Sequence, residues 1–174
     1  RPSDWVRLVA LGVLLISFGA LSLANTISGR MLDGYWPGMA SMFGGLLLTL
    51  IVIRIGRSVL YLDWIATGVL YVGLGILILR SPLLPSVTAF LLFLLLLTAS
   101  ALLRAWIGVS IGASVDSAAC LMAGGFTTLF CAFWATTGRL LAIPTNPDAI
   151  LSVDLMLMGL SITAFAVSLD KKSA

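Results

Sequence analysis

The hydrophobic residues of the chain run in six long stretches separated by short polar segments. Each stretch is about 17–21 residues long, which is enough for a helix to cross roughly 30 Å of hydrocarbon. Apolar and polar residues do not alternate within the stretches, so a transmembrane strand barrel is disfavoured. The pattern predicts an all-α integral membrane protein with six transmembrane helices, at residues 5–25, 37–53, 62–79, 86–103, 117–137 and 149–169.

The polar segments repeat in a fixed order. An Asp precedes each odd-numbered stretch, where an acidic side chain suits the positive end of a helix and can serve as its N-cap. An Arg follows that stretch, and then a proline, which the first turn of a helix tolerates well. This order predicts three repeated helical hairpins in a single membrane domain 1–174, with approximate bounds 4–57, 62–105 and 116–170. The residues that define it are Asp4, Arg30 and Pro37, then Asp63, Arg80 and Pro85, then Asp116, Arg139, Pro144 and Pro147.

Small residues recur at every seventh position of the odd-numbered helices. Seven residues make about two helical turns, so each series forms a stripe along one helix face. In lipid, such stripes let helix backbones approach closely, and we interpret them as packing surfaces; a stripe that lines a solute path is the alternative. The stripes contain Gly12 and Gly19 in the first helix, Gly68 and Gly75 in the third, and Gly124 and Cys131 in the fifth.

Composition narrows the class of protein further. Sixty per cent of the residues are apolar and 10% are charged, against roughly 45–50% and about 25% in soluble domains. A soluble enzyme and a nucleic-acid-binding domain with a clustered basic face are therefore excluded. The chain has no His, and all seven acidic residues are Asp. No phosphate-binding, catalytic or metal-ligand motif is present, so we expect no enzymatic activity, no cofactor and no bound metal.

Lys and Arg residues of the short loops predict the orientation in the membrane. Seven of the ten cations fall on one side, which places both termini in the cytoplasm. Arg7 and Arg104 lie about one turn inside their helices, so we expect their side chains to snorkel to the cytoplasmic interface. Since the chain begins with Arg1 and not with Met, upstream residues are expected. The cytoplasmic set is Arg1, Arg7, Arg54, Arg57, Arg104, Lys171 and Lys172, and the outer set is Arg30, Arg80 and Arg139.

Four tryptophans fall near the predicted ends of the helices, where the indole ring can lie in the membrane interface. We interpret all four as interfacial anchors. They are Trp5, Trp36, Trp64 and Trp106.

Asp154 is the one acidic residue that falls within a predicted span. Ionisable residues inside a membrane are candidates for function, because their insertion is costly. The Arg across the preceding loop, Arg139, is the natural partner for an ion pair. Two interpretations stay open: a proton-responsive carboxylate that faces the bundle interior, and a shallow Asp that reaches the interface or pairs with Arg139.

Several of these features occur together in one known family. They are the spacing Gly12-x6-Gly19 after Trp5, the spacing Gly68-x6-Gly75 after Trp64, and the segment Arg80-Ser-Pro82-Leu-Leu-Pro85 before the fourth helix. Together they resemble the HdeD family of small bacterial inner-membrane proteins, over essentially the whole chain. The resemblance implies six helices built from a short repeat, location in the bacterial inner (plasma) membrane and an association with acid resistance. It supplies no catalytic residues.

Three functions remain open from the sequence. The first is a non-enzymatic HdeD-like membrane protein that acts through helix packing in envelope or acid stress. The second is an accessory subunit of a larger bacterial membrane complex. The third is a small proton or solute transporter that uses Asp154, although a water-filled path normally needs more polar residues than this chain has. We expect the partners to be membrane lipids and either further copies of the chain or other membrane subunits, with no nucleic acid.

Overall fold

A computed structural model describes residues 2–28, 35–55, 61–80, 86–110, 115–141 and 146–171. Six helices account for nearly all of these residues, so the prediction of an all-helical protein is confirmed. The helices are α1 (Pro2–Ile27), α2 (Tyr35–Ile55), α3 (Tyr61–Arg80), α4 (Val87–Ser110), α5 (Val115–Leu140) and α6 (Pro147–Lys171).

Five of the six helices are long and apolar enough to cross a membrane. These are α1, α2, α3, α4 and α6, and they make the chain a multi-pass membrane protein. The remaining helix, α5, has 26 residues and was predicted as the span 117–137. Its length suffices for a crossing, but glycines and threonines interrupt its apolar residues.

The distribution of side chains is the inverse of that in a water-soluble globule. Large apolar side chains such as Leu95, Phe126 and Phe133 point outwards and are 63–66% exposed. The interior holds hydroxyl groups and one acid–base pair alongside the apolar core. Soluble proteins place charged groups outside, whereas polar residues of membrane-spanning helices face the bundle interior. The outer surface of the described helices is therefore suited to lipid.

The six helices are arranged as a closed ring. Each helix contacts the next one along the chain, and α6 returns to contact α1. Three of these interfaces are much more extensive than the others: α6 with α1, α2 with α3, and α4 with α5. The predicted hairpins pair each odd helix with the even helix that follows it. The extensive interfaces instead join each even helix to the next odd helix, and α6 to α1.

Small residues form the same contact at all three extensive interfaces. At each interface two backbone contacts lie seven residues apart on both helices, and the helices run antiparallel. A Cβ atom at Gly19 would lie 2.8 Å from the carbonyl oxygen of Ser152, closer than real Cβ atoms come. These positions therefore let the backbones touch, as small residues do in membrane helices. The facing pairs are Gly12–Gly159 and Gly19–Ser152, Gly45–Gly68 and Gly38–Gly75, and Gly108–Ala118 and Gly125–Ala101.

The stripe of α5 that packs against α4 lies one residue beyond the predicted one. Ala118 and Gly125 make the backbone contacts with α4. Gly124 instead faces α6, where a Cβ would lie 2.9 Å from Ser161 Oγ. Cys131 is half-buried, and its thiol is free. Because α5 contacts both α4 and α6, it has two small faces, and a single series of sevens describes only one of them.

The helix ends differ in detail from the predicted caps. Asp63 lies in the first turn of α3 and not before it, and Asp116 is the second residue of α5. Pro147 is the first residue of α6, as the preference of proline for this position predicts. The N-caps at the described ends are Ser86 and Asn146, whose side-chain oxygens each accept a 3.0 Å hydrogen bond from the backbone N–H of Ala89 or Asp148. Asp4 (its side chain), Arg30, Pro85 and Pro144 lie outside the described residues.

Trp64 does not lie at the membrane interface as predicted. Its side chain is 6% exposed and belongs to the core cluster. The indole packs against Phe165 of α6, with the ring centroids 6.0 Å apart. Trp36 and Trp106 are exposed, in keeping with a position against lipid or headgroups. The side chain of Trp5 is outside the described residues.

Candidate functional site: a buried charged cluster

Arg104 is completely buried in the middle of the bundle. It was expected to snorkel to the cytoplasmic interface, and that expectation is wrong. The predicted span ends at residue 103, but α4 continues to Ser110. A long side chain on a helix points towards the helix N-terminus, which for α4 is the direction away from the nearer helix end. Its Nη2 accordingly approaches Ser100 Oγ, one turn earlier, at 3.4 Å.

Asp154 of α6 is the partner of Arg104. Its side chain is 1% exposed, and it lies about 10 Å along the axis from the start of α6. Its Oδ1 accepts hydrogen bonds from Arg104 Nη2 and from Thr128 Oγ1. Its Oδ2 accepts a 2.6 Å hydrogen bond from Tyr71 Oη. Both carboxylate oxygens are thus used, by groups from three other helices.

Hydroxyl groups complete what we call the charged cluster: Tyr71, Ser100, Arg104, Thr128 and Asp154. Thr128 Oγ1 accepts a 2.9 Å hydrogen bond from Arg104 Nη2. Its single proton is directed either to Asp154 or to the carbonyl oxygen of Gly124, which is 3.0 Å away. All five side chains are buried. The cluster therefore ties α3, α4, α5 and α6 together at one depth of the bundle.

Arg139, the partner predicted for Asp154, lies elsewhere. Its guanidinium carbon is 4.5 Å from the centre of the Phe90 ring on α4, in cation–π contact. Arg139 is eleven residues beyond Thr128 on α5, which separates the two by about 16 Å along the helix axis. The ion pair of Asp154 therefore forms with Arg104 and not with Arg139. Of the two interpretations of Asp154, the structure favours the carboxylate that faces the bundle interior.

The charges of the cluster balance when both groups are ionised. A lone Asp or Arg at the centre of a membrane helix costs about 2.5–3.5 kcal/mol on insertion scales. Pairing and hydrogen bonding offset that cost, because water does not reach the cluster to solvate either charge. Removing one partner would leave the other charge buried and uncompensated. The cluster consequently stabilises one arrangement of four helices more strongly than an apolar layer would specify it.

A second buried polar contact lies between α1 and α6. Ser22 Oγ and Ser152 Oγ are 2.7 Å apart, and Ser152 Oγ donates a 2.7 Å hydrogen bond to the carbonyl oxygen of Asp148. Since the Ser152 proton is directed to that carbonyl, Ser22 is the donor between the two hydroxyls. This contact adjoins the Gly19–Ser152 backbone contact. It therefore fixes the register of α1 against α6.

The sequence pointed to Asp154 but missed its partners. Arg104 differs from Arg54, which has Arg57 three residues later, because apolar residues flank Arg104 on both sides. That flanking is a signal that α4 continues past the charge and that Arg104 lies within the span. Tyr71 and Thr128 carry no comparable signal. They are ordinary residues of apolar stretches, and only the ring arrangement brings them to Asp154.

Two open grooves lie on the outer surface of the described helices, and both are apolar. One, of about 660 Å³, lies between α1 and α2 and includes Phe18, Trp36 and Phe43. The other, of about 490 Å³, lies between α4 and α5 and includes Trp106 and Phe126. Lipid chains suit such surfaces, and neither groove reaches the charged cluster.

The chain matches no family model, no curated protein and no solved structure. Among the described residues, no group of three or more Cys and Asp side chains is placed to hold a metal ion. The charged cluster and the packing of the ring are therefore the features on which a function can be argued.

Proposed function

We propose that this protein is an HdeD-like multi-pass protein of the bacterial inner membrane, which acts through helix packing in envelope or acid stress and not as an enzyme. The repeated small-residue contacts of the three extensive interfaces support this proposal. They fit a compact bundle built from a short repeat, and the exposed apolar faces fit a protein whose partners are lipids and other membrane helices.

We further propose that α5 is a sixth crossing, with both termini in the cytoplasm. Its position between α4 and α6, both of which are apolar enough to span, supports a transmembrane α5. With Arg104 moved into the interior, the loop and terminal cations still divide six to three in favour of the cytoplasmic side.

Cysteine labelling tests this topology. The background variant has Cys120 and Cys131 changed to Ala, and one new cysteine is placed at Ser3 or at Ser173. Both positions are expected to react with a membrane-impermeant maleimide only after the cytoplasmic face is opened. Labelling of the two positions from opposite faces would contradict the six crossings.

Survival assays test the stress role. Cells that lack the protein are challenged at low pH, with complementation by the natural chain or by Gly19→Leu, which would separate α1 from α6. We expect the natural chain to restore survival and Gly19→Leu to fail. Equal survival of cells with and without the protein would refute the proposal.

The accessory-subunit function is a second candidate, supported by the exposed apolar faces of the described helices. Purification in a mild detergent followed by mass spectrometry distinguishes it. A stoichiometric heterologous subunit would favour this candidate, whereas a single species or a homo-oligomer would favour the first proposal.

The transporter function is a third candidate, and it is favoured by the central position of Asp154. Proton flux in proteoliposomes that is lost in Asp154→Asn would support it. Flux at the level of empty liposomes would remove it.

A further inference from the structure

Half of the Arg104 guanidinium lacks hydrogen-bond partners. Nη2 serves Asp154, Thr128 and Ser100, whereas Nε and Nη1 are buried with no acceptor in the structure. Nε carries one N–H and Nη1 carries two, so three donors of a cation are unsatisfied in the centre of the bundle. Buried donors of this kind are costly, and the cost is larger for a charged group. These donors therefore call for an acceptor that the protein itself does not provide.

Small residues surround the unsatisfied edge of the guanidinium. A Cβ atom at Gly124 would lie 3.8 Å from Arg104 Nη1 on one side and 2.9 Å from Ser161 Oγ on the other. The absence of a side chain at Gly124 thus leaves α5 open between the guanidinium and the hydroxyl of α6. Hydroxyl groups of Ser100 and Thr128 border the same guanidinium. A cation edge with hydroxyls around it and no carboxylate on that side is the chemistry that binds a small anion.

Charge balance determines when an anion can enter. While Asp154 is ionised, Arg104 is already neutralised, and an added anion would leave a net negative charge in a low-dielectric interior. When Asp154 takes up a proton, the positive charge of Arg104 loses its counter-ion. One proton on Asp154 and one monovalent anion on Arg104 together keep the cluster neutral. Protonation also breaks the ion pair that joins α4 to α6, which loosens the bundle where the anion must enter.

We propose that Arg104 binds a small monovalent anion such as chloride at its Nε–Nη1 edge, beside Gly124 and Ser161, and that the anion enters together with a proton on Asp154. The site goes beyond the function proposed above and does not depend on it. Binding is therefore favoured by acid, and proton and anion are taken up in a one-to-one ratio.

The other titratable groups near the cluster do not replace Asp154 in this role. On α3 the group is the Tyr71 phenol and on α5 it is the Cys131 thiol, both neutral in their protonated forms. Gly44 of α2 and Leu15 of α1 lie at the depth of Leu155. The cations of these helices, Arg54 and Arg7, are thus about 15 Å or less from that depth only along the axis, at the opposite end of each helix from the loop that joins them. Asp148 of α6 lies six residues before Asp154, one and a half turns towards the start of the helix.

Thermal unfolding in detergent tests the proposal with chloride as the probe. The Tm of the purified protein is measured from pH 8 to pH 4.5 in sodium chloride and in sodium gluconate of equal ionic strength. A ligand that binds only the folded state raises the Tm. At ten times the dissociation constant the expected rise is about 3 °C or more for a chain of this length. We expect that rise at the acidic end and less than about 1 °C at pH 8.

Three variants identify the residues concerned. Asp154→Asn mimics the protonated carboxyl, so the chloride effect should become independent of pH and appear at pH 8. Gly124→Ala places a methyl group beside Nη1 and should weaken chloride binding at least tenfold without removing the ion pair. Gly73→Ala is the matched control, because its Cβ would meet Leu96 at an ordinary 3.6 Å, and it should bind chloride as the natural chain does. Arg104→Lys keeps a charge but lacks the Nε–Nη1 edge and should lose binding.

Equal Tm values in chloride and gluconate across the whole pH range would overturn the proposal, and would assign the unsatisfied donors to internal water. A chloride effect that Arg104→Lys and Gly124→Ala leave unchanged would overturn it as well. If Arg104→Lys does not fold, Gly124→Ala against Gly73→Ala remains decisive. None of these results depends on acid survival of cells, so the failure of this proposal and that of the stress role are distinguishable.

Discussion

Arg104 and Asp154 show how a membrane interior handles charge residue by residue. Neither side chain reaches water, and each is held by hydrogen bonds from other helices. Their pairing lowers the cost of burying each charge, but the pair is not intrinsically more stable than well-packed apolar residues. The contribution of the cluster should therefore appear as strong coupling between the two residues and not as a large net stabilisation.

A double-mutant cycle measures that coupling. Asp154→Leu and Arg104→Met each leave one buried charge unpaired and should each lower the free energy of unfolding by about 3–5 kcal/mol. The double variant removes both charges and should recover most of that loss. The measurement is denaturant unfolding in mixed micelles at pH 8 in gluconate. Additive effects of the two substitutions would show that the pair is not coupled.

Tyr71 donates the hydrogen bond that completes the carboxylate of Asp154. Tyr71→Phe removes only the hydroxyl and leaves Oδ2 without that donor, so we expect a loss of about 1.5–3 kcal/mol, the range for a hydrogen bond to a charged group. Tyr35→Phe, at an exposed position at the start of α2, is the control and should change little. The same unfolding assay compares the two, and equal effects would argue against the buried hydrogen bond.

At the scale of elements, the helices pack through small residues and not through large apolar ones. Lipid is as apolar as a leucine side chain, so burial of leucine between helices gains little, and close backbone contact supplies the van der Waals energy instead. Each extensive interface uses a pair of small stripes, one on each helix. The stripe on the even helix is as important as the one on the odd helix.

Two glycines of α3 test this account. A Cβ at Gly75 would lie 2.7 Å from the backbone N of Met42, whereas one at Gly73 would make only the ordinary contact with Leu96. Gly75→Ala should therefore destabilise the protein by about 1–3 kcal/mol through overpacking. Gly73→Ala should be neutral or stabilising by up to about 1 kcal/mol, because Ala favours the helix more than Gly does. Thermal unfolding of both variants in detergent checks the difference, and equal Tm values would contradict it.

The sequence predicted the helices well and their partners poorly. Length and apolarity define α1 to α4 and α6, and the spacing of sevens marks Gly12, Gly19, Gly68 and Gly75, which all lie at backbone contacts. The equivalent stripe on α4, Ala101 and Gly108, was missed because alanine is common in any apolar helix. Helix pairing was missed because adjacency in the chain favours hairpins, whereas the more extensive contacts join α6 to α1, elements at opposite ends of the sequence.

The candidate site was predicted in part for the same reason. Asp154 could be found because an acid within an apolar span is rare. Its partner could not be found by proximity in sequence, since Arg104 lies fifty residues away on α4. Two rules misplaced Arg104: the predicted span was ended at the charge, and the cation was then given an interfacial position. Both rules apply to a helix in lipid alone, and here neighbouring helices supply the counter-charge.

At the scale of the whole molecule, the ring closes on itself through α6 and α1. Because these helices run antiparallel, with Gly12 opposite Gly159 and Gly19 opposite Ser152, the start of α1 and the end of α6 lie at the same end of the bundle. The chain is thus almost circular in space, and the break between its termini interrupts one of the three repeated interfaces.

A circular permutant tests the closed ring. The natural termini are joined by a short Gly/Ser linker, and new termini are opened in the segment 56–60 between α2 and α3. Chains whose termini are adjacent tolerate this rearrangement when the new break avoids packed elements. We expect a folded protein whose Tm lies within a few degrees of the natural one. The matched control is opened inside α6 at Asp154 and should not fold, and aggregation of both permutants would contradict the ring.

The contact between α6 and α1 also dictates an order of events during biosynthesis. At about 5–20 residues per second, α1 enters the membrane on the order of ten seconds before its main partner has been translated. During that interval its glycine face is open to lipid or to the insertion machinery, and Arg104 is inserted before the ribosome has reached Asp154. The last helix to be made therefore supplies both the missing wall and the missing counter-charge, so the fold is completed only when translation is nearly over.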